Sequence, residues 1–518
     1  MKKYRITALF AAFALFLSGC SQQTANIIHA DGQDGFILEQ RETVTAAELP
    51  DYTITTADEE ATSDEASGES SETEDEASET AASEETEPVT AVTEATTAVT
   101  TEKTTVATTT AASATEATTV VTTTEATTVV TTTEATTQAV SVPSSGTNSY
   151  RAVNYSEVKG VWISYIELSS VLTGKSKSQF TAAIKEMYQN CVDMGLNTVF
   201  VHARSHGDAY YKSDLYPWSK YVTGTIGNTP DYDPFAIMVE QAHAYGLSIH
   251  AWINPLRLCS DSEIGSVSAK YAVGSWYQNS STRGKYVVKV GSYWYLNPAY
   301  EEVTDLIAAG AAEIVAKYNV DGLHIDDYFY PTTDTSFDAD AFSASGYSSL
   351  STFRLSNCDR LVSSLYKAVK GANSTAWFGV STQGNIDNNY TYMYADVKKW
   401  CSNSGYVDYM APQIYYGFKN SALSFTYNLS QWQSMVSGTG IKLIPGLAVY
   451  KVGNYDQWAG TGSGEWQTDT EILKRQIVAA REAANYGGVV FYSYNYLFEP
   501  TENQSAVAAE KSAVEEIL

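Results

Sequence analysis

The stretch Asp321-Gly322-Leu323-His324-Ile325-Asp326-Asp327-Tyr328 sets two acidic side chains side by side at the end of an apolar-alternating run. Two carboxyls can divide acid–base work between them. One protonates a leaving oxygen; the other attacks, stabilises positive charge or activates water. That is the chemistry of breaking an acetal. Strand side chains alternate, so His324 and Asp326 share a face, and Asp326 is expected to project from the strand's end. The direction of Asp327 stays open. A nearby Arg204 or Arg257 would keep Asp326 ionised, as a nucleophile requires, and burial among tyrosines would keep Asp327 protonated, as an acid requires. The plain alternative is that either Asp caps a loop or pairs with one of those arginines. Which of the two is acid and which nucleophile is left undecided.

Something must hold that run in place. From Val158 onward, eight short β-rich runs alternate with amphipathic stretches. The runs are 159–165, 197–204, 246–255, 320–331, 376–385, 406–416, 442–450 and 487–497, with helical periodicity at 178–194, 234–245, 300–318, 351–370 and 470–486. Strands alternating with helices imply a parallel sheet, and eight units over this length imply a (β/α)8 TIM barrel. An open doubly wound sheet is the runner-up, but no G-x-G-x-x-G follows the first run.

In a barrel, reacting groups sit at the C-terminal ends of the strands. Here those ends carry His202, Arg204 and Asp208, then Trp252, Asn254 and Arg257, then His324, Asp326, Asp327 and Tyr328, and later Gln413, Tyr415, Tyr450 and Tyr494. Asp326 and Asp327 are the catalytic candidates and the others the candidate substrate contacts. Flat aromatic rings stack on the apolar faces of sugars, while Asn, Gln, Arg and His bond their hydroxyl rims. The expected partner is therefore a polysaccharide. Many of the aromatics also suit a core, Trp162 and Trp252 above all.

Two rival functions use the same residues. A metal-dependent polysaccharide deacetylase could draw on His202, His206, Asp326 and Asp327. Against it, Arg204 falls between the two histidines, where its charge would oppose a dication. No metal and no cofactor is expected. The other rival is a glycan-binding protein without turnover.

The 518-residue chain has a formal charge of −28, which argues against nucleic acid as a partner. Residues 42–148 hold 22 acidic side chains against the single Lys103, and TEATTVVTT begins at Thr115 and again at Thr124. All ten Trp and all but two of the 37 Tyr lie beyond residue 148. Residues 42–149 thus read as a disordered acidic linker, with a flexible-coil span of about 60 Å. Residues 150–518 read as the folded domain.

At the other end, Lys2, Lys3 and Arg5 precede an apolar run and then Leu17-Ser18-Gly19-Cys20. This is a signal peptide over 1–19, too short to span a bilayer comfortably. Its end resembles the bacterial lipobox, which implies lipidation at Cys20, a short segment over 20–41, and a membrane-anchored lipoprotein facing outward in the cell envelope. The remaining cysteines, at 191, 259, 358 and 401, form no C-x-x-C and read as core thiols.

Four segments together, NTVFVHARSHGDAYYKSDLYPWSKYVTG, HAWINPLRL, HIDDYFYP and PQIYY, resemble the bacterial glycoside-hydrolase-like 10 family, formerly the domain-of-unknown-function 187 group. The resemblance spans roughly 157–500. It implies a TIM barrel, an envelope location and hydrolysis of glycans, peptidoglycan strands in particular. His202 and the VSTQGN segment depart from the family pattern. A looser likeness to family 18 chitinases keeps their D-G-x-D-x-D-x-E frame but puts Tyr328 where the acid Glu would stand.

Overall fold

The computed structural model describes residues 147–518. The signal peptide, Cys20 and the linker lie outside the described residues. Eight parallel strands form a barrel: β1 Val158–Ile163, β2 Thr198–Arg204, β3 Ser248–Ile253, β4 Gly322–Ile325, β5 Trp377–Val380, β6 Tyr409–Met410, β7 in two pieces, Lys442–Leu443 and Gly446–Ala448, and β8 Gly488–Tyr492. Each pairs with the next, and β8 pairs with β1 from Val158↔Gly488 to Val161↔Phe491. Pro445 splits β7 because it brings no N–H to the ladder. The ring stays shut around it. Ile444 N donates to Met410 O of β6 at 2.9 Å, and Val490 N of β8 donates to Pro445 O at 3.1 Å.

Period-two alternation sorts the apolar side chains into two layers. Val161, Ile163, Val199, Val201, Ile249, Leu323, Phe378 and Val489 face the surrounding helices. Trp162, Phe200, Trp252, Tyr409, Ile444 and Val490 fill the barrel. Such large rings fit only where small residues oppose them. A Cβ on Gly379 would collide with the Tyr409 ring, and one on Gly446 would lie 2.8 Å from Trp162 Cη2.

A polar column runs through this interior. Trp162 Nε1 donates to His324 Nε2 at 3.0 Å; His324 Nδ1 meets Tyr409 Oη at 3.0 Å; the same hydroxyl meets His250 Nδ1 at 2.9 Å; and His250 Nε2 meets Asn154 Oδ1 at 2.9 Å. Burial holds both histidines neutral, His324 well below its usual range and His250 at about 4. The segment before β1 closes the N-terminal end. There the buried Asp321 accepts from Tyr150 Oη at 2.8 Å, Val153 N at 2.7 Å and Ile249 N at 2.9 Å.

The expected helices are present, as Lys177–Asp193, Pro234–Ala244, Glu301–Lys317, Leu350–Ala372 and Ile472–Arg481. Two features on the C-terminal side were not expected. Helix Tyr165–Leu172 follows β1 directly, started by a capping box between Ser164 and Glu167. An antiparallel sheet of Arg257–Ser260, Val287–Val290 and Tyr293–Leu296 rises from the loop after β3. The cysteines at 191, 259, 358 and 401 are buried and unpaired.

Candidate active site

β4 ends at Ile325, so Asp326 and Asp327 leave the sheet at its C-terminal rim. Asp326 keeps the inward parity of Gly322 and His324. Its Oδ1 accepts from Tyr328 N at 3.3 Å, and the Trp252 indole and the Arg257 guanidinium face it from the β3 side. Asp327 turns the other way. Its Oδ1 accepts from Gln413 Nε2 at 3.3 Å, and Gln383 also faces it. Gln383 and Gln413 themselves bridge just beyond β5 and β6.

Both carboxyls are buried, and burial pushes both up: Asp326 well above the usual carboxylate range, Asp327 to about 7. Adjacent carboxyls in a dry site cannot both ionise cheaply, so the pair carries one proton near neutrality. Arg257 opposes the rise at Asp326, and the two glutamines oppose it at Asp327. Asp327 Oδ2 and Ser381 Oγ are buried here with no hydrogen-bond partner among the described residues. Buried polar atoms of this kind are what a polar ligand would satisfy.

Tyrosines flank the pair. Arg257 Nη1 reaches Tyr328 Oη at 3.4 Å, its guanidinium lying 5.1 Å from that ring's centroid. On the far side the ring centroids of Tyr415 and Tyr450 are 5.7 Å apart, Tyr415 and Tyr492 6.0 Å, and Tyr450 and Tyr496 5.8 Å. Tyr450, Tyr492 and Tyr496 are half-buried, so this side of the cluster is partly exposed.

The structure gathers Asp326, Asp327, Trp252, Arg257, Tyr328, Gln413, Tyr415 and Tyr450 into one cluster at the C-terminal rim, and it separates the other candidates. His202 stacks on Trp252 at 3.5 Å; its Nδ1 accepts from Tyr165 N at 2.9 Å and its Nε2 meets Asn254 Oδ1 at 3.3 Å. His202 and Asn254 therefore back the Trp252 wall, and His324 belongs to the interior column.

Three expected contacts need correcting. Arg204 does not share the inward face of His202. A register shift between them aligns Arg204 with Ile253, and its guanidinium lies 4.6 Å from the centroid of Tyr216, against helix Glu301–Lys317. Asp208 is held by Ser219 and the His206 amide, with burial pushing it up to about 6. Tyr494 opens a short helix and turns outward, where Asn190 Nδ2 donates to its hydroxyl at 2.8 Å. Sequence reasoning missed Tyr492 and Tyr496. Alternation with the inward Val490 identifies Tyr492 once β8 is known to end there.

Tyr165 lies against both His202 and His206, at 5.7 and 5.2 Å between centroids. Among the described residues, no three of His, Cys, Asp and Glu converge as a metal's donors.

A closed parallel barrel with paired carboxyls flanked by tyrosines at its C-terminal rim is the build of a glycoside hydrolase. The chain belongs to the glycosyl hydrolase-like 10 family, whose model matches residues 157–459. It is 29% identical over 380 residues to "Glycosyl hydrolase DigH" of Escherichia coli K12, covering 67% of this chain and 85% of the relative. It is 30% identical over 367 residues to "Glycosyl hydrolase YngK" of Bacillus subtilis 168, covering 65% and 68%. Among solved structures it is similar to the PgaB (BpsB) glycoside hydrolase domain of Bordetella bronchiseptica. That match has a TM-score of 0.46 and 14% identity, and covers 69% of this chain and 99% of that one. The catalytic domain of a Paenibacillus polymyxa β-amylase matches with a TM-score of 0.44 and 11% identity, covering 70% and 99%.

Proposed function

We propose that this protein hydrolyses glycosidic bonds within an envelope polysaccharide, with peptidoglycan glycan strands as the favoured substrate, while anchored to the membrane through lipid on Cys20. The observation that carries the reading is the pair of buried carboxyls with unlike surroundings. Asp326 faces a guanidinium and Asp327 faces neutral amides. Asp326, pushed well above the usual carboxylate range by burial and further by the charge on Asp327, can hold a proton for the glycosidic oxygen and take one back from water. Asp327, at about 7 the first of the pair to ionise, supplies the negative charge that an oxocarbenium-like transition state needs. Tyr328, Tyr415, Tyr450 and Tyr492 offer flat faces to the sugar rings. The glycosyl-hydrolase names of the relatives support the same reading. The acidic linker would give an anchored enzyme reach into the wall.

The test is product mass after incubation with peptidoglycan strands, chitin oligomers and plant or host polysaccharides. Fragments one water heavier than the cleaved chain are expected from the strands, and Asp327→Asn should form them at least ~10³-fold more slowly. Retained binding of the strands by the wild type with no product from any glycan would instead identify a glycan-binding protein.

A further inference from the structure

We infer that Tyr165 and Tyr293 are positioning residues: with Tyr328 they cage the Arg257 guanidinium beside Asp326, and the antiparallel sheet after β3 serves to deliver that cation to the acid. This rests on the glycosidase reading above, in which Asp326 is the acid. Arg257 opens the first strand of that sheet, outside the barrel ladder, and is buried. Three ring faces from three separate elements surround its guanidinium. The ring centroid of Tyr328, on the rim of β4, lies 5.1 Å from the guanidinium carbon; that of Tyr165, in the helix after β1, lies 5.6 Å away; and that of Tyr293, in the sheet, 5.9 Å. All three fall within the roughly 6 Å over which a ring face attracts a cation. An aromatic face attracts through its quadrupole and carries no net charge. It therefore holds the guanidinium in a dry place without cancelling its field, as a carboxylate partner would.

The sheet's own ladder aims the cation. Arg257 stands opposite Tyr295, and opposite residues of an antiparallel pair share a face. Tyr293, two residues along, lies on that face too. The other face, which Trp294 occupies, is pinned: Trp294 Nε1 donates to Asp261 Oδ1 at 2.7 Å, and the Tyr277 ring meets Trp294 edge-on at 5.1 Å. Leu296 N donates to Leu256 O at 2.7 Å, which fixes the residue before Arg257. Tyr165 is held in turn by Tyr221, His202 and His206, at 5.0, 5.7 and 5.2 Å between centroids.

Asp326 is faced by Asp327, the Trp252 indole, the Tyr328 amide and phenol, the Tyr415 phenol and Arg257. Burial and the Asp327 charge push its proton affinity up, and of these groups Arg257 alone is positive. An acid that binds its proton too firmly gives it up slowly to a glycosidic oxygen. Arg257 brings Asp326 back towards the range in which it can donate, and does so only while the rings hold the guanidinium in place.

The test reads the Asp326 carboxyl directly in the full chain carrying Asp327→Asn, where the neighbouring charge is gone. Infrared spectra across pH, minus those of the Asp326→Asn/Asp327→Asn protein, give the midpoint at which the acid C=O band is lost. An opposite charge at close range lowers a carboxyl by roughly 1–3 pH units, so adding Arg257→Gln should raise the midpoint by about one unit or more. Tyr165→Leu and Tyr293→Leu keep the charge but open the cage, and should raise it by a smaller amount. Tyr165→Phe and Tyr293→Phe keep the rings and should leave the midpoint in place. With Asp327 intact, Tyr165→Leu should slow the cleavage of natural strands more than that of an activated aryl glycoside, which needs no proton. A midpoint unmoved by Arg257→Gln, or by both leucine variants, would overturn the inference whatever happens to Tm. So would an Asp326 that keeps its proton at every pH at which the protein is folded. Product formed from strands with the midpoints unmoved would overturn this inference alone; no product from any glycan would overturn the glycosidase reading and this inference with it.

Discussion

Tyr409→Phe should test the interior column on which the site stands. The column's proton order is fixed from both ends. An indole nitrogen can only donate, so His324 Nε2 is bare and its proton sits on Nδ1. At the other end Asn154 Nδ2 is spent on Asp321 O at 2.9 Å, so Asn154 presents its oxygen to His250. His250 must then carry its proton on Nε2 and leave Nδ1 bare. One hydroxyl serves both rings: Tyr409 Oη accepts from His324 and donates to His250. Phenylalanine keeps the ring and strands one donor and one acceptor, both fully buried. Each stranded group costs about 1–3 kcal/mol, so about 4 kcal/mol in total. The gap left is one oxygen atom, too small for a water with several partners. Unfolding entropy is about 2.1 cal/mol/K per residue, or roughly 0.8 kcal/mol/K over residues 147–518. Tm should therefore fall by about 5 °C in calorimetry. Nitrogen-detected NMR of the wild type should show opposite tautomers for the two histidines. A Tm within a degree of wild type, or the same tautomer on both rings, would refute the reasoning.

Activity should also rise as pH climbs through about 7, because the pair works with one proton and one charge and Asp327 is the first to ionise. The rate with natural strands should drop about tenfold per pH unit below that point, and Asp327→Asn should abolish this limb. With an activated aryl leaving group, which needs no proton, Asp326→Asn should lose far less than with natural strands. Gly379→Ala should destabilise by about 1–3 kcal/mol or more, read as a lower Tm, because the methyl collides with the Tyr409 ring, which the column holds in place. Cys20→Ala should move the protein out of the membrane fraction or block its processing; unchanged membrane association and processing would end the lipid-anchor reading.

The barrel was legible in the sequence because it is written twice. Several runs have an outer parity of branched aliphatics, as in Val199, Val201 and Ile249, and an inner parity of large rings opposed by glycine, as in Trp162 and Gly446. The antiparallel sheet after β3 was not legible. Its strands are no shorter than β4 and β5, but no long amphipathic helix separates them, so the strand–helix alternation that marks the barrel runs is missing. The site was legible as far as parity held. Arg257, Tyr328 and Gln413 come from rim segments where it gave the right wall.

Where parity slips, one residue suffices to send a side chain to the other face. The shift after His202 sends Arg204 to the helix side, and the end of β8 at Tyr492 sends Tyr494 outward, with nothing in residue type to announce either. The same sensitivity separates the two acids. Asp326 continues the inward parity of β4 and meets Trp252 and Arg257, while Asp327, past the strand's end, turns to Gln383 and Gln413. Identical side chains one residue apart thus stand beside a cation and beside amides. A slip of one position in β4 would exchange those surroundings, which makes the register at Ile325, as much as the identity of either acid, the determinant of the site's chemistry.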